Sequence, residues 1–395
     1  MRLANAVNIA DLGVMAKARL PRVIFDFLDG GAEDERTLRA NRTAFERYRL
    51  RPRVLTGHAT RDQSINLFGQ HLAAPFLIGP TGLNGIHWTD GDLHLSRAAS
   101  KAGIGFTLSS ASNNSLEQVG GDSAGVKFFQ LYPWGDRNVS GRLTDRAAAA
   151  GYKALMITVD SLTPGKRERD LRNRFAHEVR ITPRVVWDGL MHPRWLFSTW
   201  LARGMPRIEN VAEFVAAGAD AHVLAEFTRS QRNPDLAWED VAWVRRRWPG
   251  PFLVKGILTA EDALLARQAG ADGVVVSNHG GRALDGAPAS IEALPGIAQA
   301  VGDSMTVLVD GGFRRGSDIV KALALGAKGV LLGRATLYGL AAGGEPGVAR
   351  AIAILRDEVD RVFALTGCGA VSQLRRAHVA AVEDFFRQDG GFTRS

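Results

Sequence analysis

Apolar residues in this chain fall into short unbroken runs instead of alternating with polar ones. Eight runs begin near residues 75, 104, 127, 154, 251, 273, 306 and 329, among them PFLIGPT (75–81), KFFQLYP (127–133), PFLVKG (251–256) and TVLVDGG (306–312). A strand with one wet face alternates, whereas a strand buried on both faces is apolar throughout. Four runs share a lead-in of an Ala-rich helical stretch and a glycine (Gly103, Gly151, Gly270, Gly326): KAGIGFTLSS, AAGYKALMITVD, QAGADGVVVSNH and ALGAKGVLLGRA. Glycine just past a helix accepts the left-handed conformation that ends it. Helical patterns lie between most of the runs, so the order predicts eight βα units and an α/β fold, the (β/α)8 TIM barrel. An open doubly wound sheet is the runner-up, but its glycine-rich fingerprint after the first strand is missing.

All 395 residues read as one domain. Residues 1–72 form an N-terminal helical segment, 73–345 the barrel, and 346–395 a C-terminal helix and tail. One connection is abnormal: strand four ends near Asp160 and strand five starts near Phe252, leaving 161–236 as a long loop. Excursions of this length are usually functional or disordered. Within it, VVWDGLMHPRWLFSTWLARGMPR (185–207) carries Trp187, Trp195 and Trp200 with Arg194, Arg203 and Arg207, and only Asp188 as acid. Trp and Arg beside Leu, Phe and Met suit a membrane interface, a lid on the barrel or a subunit contact.

Composition narrows the classes. Apolar content of 46% with 23% charged residues describes a soluble globular chain. The excess of 49 basic over 41 acidic residues, +8, fits an anionic ligand or an anionic membrane surface. No dense Lys/Arg run or binding motif points to nucleic acid. A lone cysteine, Cys368, excludes an intrachain disulfide and a multi-cysteine metal site, and fits a reducing, cytoplasmic compartment. No signal peptide and no bilayer-spanning run is expected.

In such a barrel, chemistry sits where the strands' C-terminal ends meet the βα loops. Read in order, those ends offer Thr81 and Gly82, Ser109, Gln130 and Tyr132, Thr158 and Asp160, Lys255, Ser277 and His279, Asp310, and Gly333 with Arg334. Any one could be a surface residue; together they would converge on one mouth. His279, in SNHGGRALDG, is a candidate general base, because imidazole titrates nearest neutrality. Asp160 could hold that imidazole and stabilise its cation. Arg282, and Arg167 in GKRERDLRNRF, could clamp a carboxylate. The stretch DGGFRRGSDIVKALALGAKGVLLGRA (310–335) reads as a phosphate site, with glycine N–H groups, a helix start, Arg314 and Arg334.

These segments, with LVKG, ITVD and FQLY, resemble the FMN-dependent L-2-hydroxy acid dehydrogenase/oxidase family from about residue 7 to 366. PTGLNG, SSASNNS and DGLMHPRW are most similar to its membrane-associated bacterial (S)-mandelate dehydrogenase branch. The resemblance implies FMN at the barrel mouth, its phosphate meeting Arg314, Gly333 and Arg334, with Gly312 in the same loop. The ring and ribityl chain would touch Pro80, Thr81, Gly82, Ser109, Gln130, Thr158, Lys255, Ser277 and Asp310. Lys255 would lie near flavin N1/O2, where negative charge develops on reduction. His279 would take a proton from the 2-hydroxy acid with Asp160 behind it; Arg167 and Arg282 would bind the carboxylate, and Tyr132 the substrate oxygens. Whether the carbon-bound hydrogen leaves as hydride or proton stays open.

One position departs from the family. Where a carboxylate-binding tyrosine is usual, FDFLDGGAEDE has Phe27, which leaves the anion more to the arginines or gives an aromatic substrate extra apolar contact. Ala111, where glycolate-using relatives carry tryptophan, leaves room for a phenyl ring, as does Gly82. The reading is therefore oxidation of mandelate or a related aromatic (S)-2-hydroxy acid to the 2-oxo acid. Electrons would pass to a membrane quinone or similar acceptor, from a homotetramer lying peripherally on the inner face of the cell membrane through 185–207. L-lactate dehydrogenase and oxygen-using oxidase activities are the alternatives; a non-redox phosphate-binding isomerase and a binding scaffold are more distant.

Overall fold

The computed structural model describes residues 2–175, 182–204, 207–231 and 234–385. Eight parallel strands close a barrel: β1 (Phe76–Ile78), β2 (Phe106–Ser109), β3 (Lys127–Leu131), β4 (Ala154–Thr158), β5 (Phe252–Ile257), β6 (Gly273–Val276), β7 (Thr306–Val309) and β8 (Gly329–Leu332). Each pairs with its neighbours in sequence, and β8 returns to β1 with Leu331 opposite Leu77.

Successive strand side chains point to opposite faces, and both faces here are dry. One set, with Leu77, Phe128, Met156, Leu253, Val275, Leu308 and Leu331, fills the barrel interior. The alternate set, with Phe76, Phe129, Leu155, Ile157, Val254, Val274 and Val309, packs under the surrounding helices. That double burial is why the runs are unbroken.

The first 72 residues are less uniformly helical than their pattern predicts. Helices Ile9–Arg19, Arg22–Asp29 and Arg36–Thr43 are present, the first capped by the Asn8 side chain accepting from Asp11 N–H at 2.9 Å. They are followed by strand Tyr48–Leu50, which pairs antiparallel with Val379–Ala381, and by a hairpin, Ile65–Leu67 with Gln70–Leu72. Leu67 and Leu72 join the interior cluster and close the end of the barrel away from the loops that carry chemistry. Hydrophobic periodicity misses the hairpin because its short strands, INL and QHL, carry polar residues and leave no unbroken apolar run. The expected division at 345/346 falls beside a break in Arg334–Thr366, where Gly343 and Gly344 leave helical geometry and Gly344 has φ +61°. The last part of the expected tail, 386–395, lies outside the described residues.

The long loop is built of short helices, among them Glu168–Arg172, Pro183–Leu190 and Ala221–Ser230. Of the Trp/Arg segment, Met205, Pro206 and the Arg203 side chain lie outside the described set. Its tryptophans divide: Trp195 is buried, donating from Nε1 to the Ile86 carbonyl at 2.7 Å, and Trp200 packs against it, while Trp187 is 66% exposed.

Candidate active site

The alternation that fills the core also fills the mouth. Two residues beyond five of the seven interior side chains comes a polar one: Phe128 leads to Gln130, Met156 to Thr158, Leu253 to Lys255, Val275 to Ser277 and Leu308 to Asp310, while Leu77 and Leu331 lead to Gly79 and Gly333. The polar ones form a connected layer above the core. Ser109 Oγ donates to Gln130 Oε1 at 2.8 Å, and Gln130 Nε2 to Thr158 Oγ1 at 3.0 Å. Lys255 Nζ donates to Ser277 Oγ at 2.9 Å and pairs with Asp310 at 3.1 Å. Burial works against the Lys255 charge, but Asp310 and Asp160 outweigh it and hold its pKa above the ordinary lysine value.

His279 stands on a turn where it, Gly280 and Gly281 have φ of +57°, +64° and +75°. Glycine adopts this region freely; a histidine there is strained, typically by about 1–3 kcal/mol. The strained backbone carries the imidazole between two partners. Nδ1 meets Asp160 Oδ1 at 2.8 Å, and Nε2 lies 3.5 Å from the Tyr132 hydroxyl. Gly256, in β5 with φ +109°, admits Asp160, since a Cβ there would stand 2.6 Å from the Asp160 Cβ. Burial opposes the Asp160 charge, but His279 and Lys255 reverse the balance and keep this carboxyl below its usual range. The half-buried Tyr132 phenol is pushed up, chiefly by desolvation, and so stays a donor.

Three guanidiniums crowd the same end. Arg282 is half-buried, and its desolvation together with Arg167 and Arg334 brings its pKa down to about 9. Among the described residues Arg167 has one loose ion pair, to Asp170 at 3.4 Å. Phe27 lies between them, its ring centre 5.1 Å from the Arg282 guanidinium and 5.6 Å from that of Arg167. Like charges this close favour an anion among them. Two arginines also have a role the sequence does not reveal: Arg282 Nη1 donates to the Phe27 and Gly30 carbonyls at 2.8 and 2.9 Å, and Arg334 donates to those of Leu28, Gly280 and Gly30.

The residues singled out in the sequence surround one cavity of about 370 Å³, except for Ser109, Asp160 and Ser277. Those three stand one layer behind, bonded to Gln130, to His279, and to Lys255 with the His279 N–H. The cavity also has walls that the motifs left out: Leu28, His87, Trp134, Leu162 and Ile208. His87 and Trp134 both follow barrel strands, but neither they nor Ile208 sit in a motif that singles them out.

The mouth fits FMN. Thr81 Oγ1 and Asp310 Oδ1 are buried without a hydrogen-bond partner, as expected of groups that meet a polar ring edge or ribityl hydroxyl. Gly333 precedes the helix Arg334–Thr366 with no capping side chain, so first-turn N–H groups are available to a phosphate, with Arg314 beside them.

Comparison with known proteins agrees. The chain matches the family described as FMN-dependent dehydrogenase over residues 16–381. It is 45% identical to (S)-mandelate dehydrogenase of Pseudomonas putida, covering 94% of this chain and 93% of that protein. Spinach (Spinacia oleracea) glycolate oxidase is 39% identical over 95% of each chain, and a putative L-lactate dehydrogenase of Mycobacterium tuberculosis 41% identical over 96% of this chain and 90% of its own. The crystal structure of a monotopic membrane protein, (S)-mandelate dehydrogenase, superposes with a TM-score of 0.91 at 44% identity, covering 95% of this chain and all of that one. A non-redox isomerase or a scaffold does not fit these matches. The polar layer, the strained histidine and the arginine cluster thus belong to a member of the FMN-dependent dehydrogenase family that oxidises 2-hydroxy acids.

Proposed function

We propose that this enzyme oxidises an aromatic (S)-2-hydroxy acid of the mandelate type to its 2-oxo acid, passing the electrons to a membrane quinone or similar acceptor. Arg167 and Arg282 bind the substrate carboxylate, and the Tyr132 hydroxyl donates to a substrate oxygen. His279 accepts a proton at Nε2, with Asp160 stabilising the resulting cation through Nδ1. FMN supplies the two-electron acceptor. Arg314, Arg334, Gly312 and Gly333 would hold its phosphate. Pro80, Thr81, Gly82, Ser109, Gln130, Thr158, Lys255, Ser277 and Asp310 would hold its ring and ribityl chain, with Lys255 placing a fixed cation where negative charge develops.

The observation that carries the aromatic substrate is the cavity wall at Gly82 and Ala111. Both line the cavity, so two of the smallest residues form a wall from which larger side chains would project into it; they also pack closely on each other, a Cβ at Gly82 standing 3.0 Å from the Ala111 Cβ. Anaerobic bleaching of the flavin by a panel of L-2-hydroxy acids tests this. Mandelate should bleach it faster than lactate or glycolate; a preference for glycolate would overturn the aromatic assignment. The glycolate oxidase and lactate dehydrogenase relatives make those acids the proper controls.

Membrane association belongs to the same reading. Val186, Trp187 and Leu190 on one short helix, Met191 just past its end, and Phe197 and Leu201 on the helical turns that follow are all exposed, with the exposed Arg194 among them. Large apolar side chains beside arginine suit the headgroup boundary. No described helix is long and apolar enough to cross a membrane. We place the enzyme peripherally on the inner face of the cell membrane, as a homotetramer; light scattering of the detergent-extracted protein measures the latter.

A further inference from the structure

His87 is a residue that the mechanism above leaves without work. It follows the turn Asn84–Ile86 and lines the same cavity as Gly82, Phe27 and Arg282. Its backbone is fixed from two sides: the N–H donates to the Asn84 carbonyl at 3.1 Å, and the carbonyl accepts from Arg19 Nη1 at 2.9 Å. The residue is only 1% exposed, yet among the described residues neither ring nitrogen makes a well-formed hydrogen bond, the Asn84 backbone being the polar group that comes near. Buried polar atoms are rarely left this way, and when they are, a ligand or water commonly completes them.

The neighbours say which end of the substrate is near. The His87 ring stacks beside Phe27, with centroids 6.4 Å apart and planes inclined by 26°. Phe27 in turn lies against the guanidiniums of Arg282 and Arg167. Burial, then the Arg282 charge, bring the His87 pKa down to about 3; the nearby Asn84 backbone opposes the shift and Arg19 adds to it. The ring is therefore neutral and offers one N–H donor and one acceptor. It can serve an anion beside the arginines without adding another buried charge. Phe27, where the resemblance expects a phenol, has no hydrogen to give.

We propose that His87 is a substrate-binding residue, its ring N–H donating to the substrate carboxylate in place of the hydroxyl that Phe27 lacks. This rests on the 2-hydroxy acid reading above. A hydrogen bond to a charged group sets the scale: losing it weakens binding by roughly tenfold or more.

The test is carried out on the FMN-loaded enzyme, with dissociation constants from flavin absorbance titration with benzoylformate, and kcat and KM for mandelate and its neutral amide. H87L should weaken benzoylformate binding and raise KM for mandelate about tenfold, with kcat and flavin content changing much less. The amide, having no carboxylate, should lose much less. H87Q, which keeps an N–H, should recover most of the loss. F27Y should improve binding strongly in H87L and only modestly in the wild type. Unchanged binding in H87L, equal losses for acid and amide, or equal gains from F27Y in both backgrounds would each overturn the proposal. A loss confined to ring-substituted mandelates would place His87 at the other end of the substrate and overturn it as well. Should H87L fail to fold, 15N-histidine spectra of the wild type carry the test: benzoylformate should move the His87 ring signals, and unmoved signals refute the contact. Wild-type flavin that no 2-hydroxy acid bleaches would instead sink the functional reading, and this inference with it.

Discussion

Replacing Asp160 with asparagine separates the proton-handling role of the histidine pair from substrate binding. The carboxylate meets His279 Nδ1 at 2.8 Å, is largely buried, and stands behind the cavity wall without lining it. Once His279 has taken a proton, imidazolium and carboxylate are in contact. Unit charges about 4 Å apart interact by about 4 kcal/mol at an effective dielectric constant of 20. Asparagine keeps an acceptor for Nδ1–H, so part of that survives. The lost part is the difference between a charged and a neutral hydrogen bond, roughly 1.5–2 kcal/mol, or about 10- to 30-fold in rate. D160N should therefore reduce flavin bleaching at saturating mandelate by at least about tenfold and leave benzoylformate affinity within about threefold. D160A, which also frees the tautomer and the ring orientation, should be slower still. Anaerobic stopped-flow absorbance reads this step without the electron acceptor. A D160N rate within about threefold of wild type would refute Asp160 as the group that stabilises the histidine cation.

Three further outcomes follow from other parts of the molecule. A111W should lower kcat/KM for mandelate by more than about tenfold, through steric exclusion from the Gly82 wall, while glycolate turnover falls less; equal losses for both acids would remove the size argument. Asp92 is completely buried, and burial raises its pKa from 3.8 to about 6 against hydrogen bonds from Ser112 and Asn84. The native state then binds more protons than the unfolded one between about pH 4 and 6. Stability should fall as pH rises through that window, by on the order of 3 kcal/mol, and change no further through this group above it. Urea unfolding of D92N should show a flatter profile, and parallel wild-type and mutant profiles would count against it. Finally, W187Q/L190Q/F197Q/L201Q, which spares the packed Trp195, should lose most binding to anionic liposomes in a flotation assay while keeping flavin bleaching by mandelate; undiminished flotation would show that this face is not the anchor.

How much of this could be read from the sequence depends on whether the signal is local. The barrel was legible because eight doubly buried strands each leave an unbroken apolar run, and all eight lie where the runs predict. The mouth was legible for the same reason, since side chains two positions beyond an interior residue must point the same way. His279 was conspicuous because a strand ending in SNHGG has no need of a histidine. The hairpin under the barrel was not legible, because its short strands INL and QHL are broken by polar residues. The tryptophans of the long loop looked equivalent, yet Trp195 meets Ile86 from 109 positions away and Trp187 meets nothing comparable. His87 was silent because its meaning comes from Phe27, distant in sequence and adjacent only in the fold.

The arginines illustrate why such non-local contacts matter for reading mutants. Arg282 was read as a carboxylate clamp, but its Nη1 also holds the carbonyls of Phe27 and Gly30, tying the end of the helix Arg22–Asp29 to the barrel mouth. Among the described residues the Arg167 side chain holds no such carbonyl; it pairs with the Asp170 carboxylate. A lysine at either position keeps the charge and loses the forked geometry. R167K should therefore raise KM for mandelate about tenfold with little change in thermal midpoint. R282K should raise KM as much and also destabilise the enzyme, by roughly 1–3 kcal/mol for each buried carbonyl left without its donor. That loss should appear in thermal unfolding even without substrate. If R282K weakens binding but unfolds at the wild-type temperature, the carbonyl contacts are dispensable and Arg282 serves the substrate alone. If R167K destabilises as much as R282K, the division between a binding arginine and a bracing one is wrong.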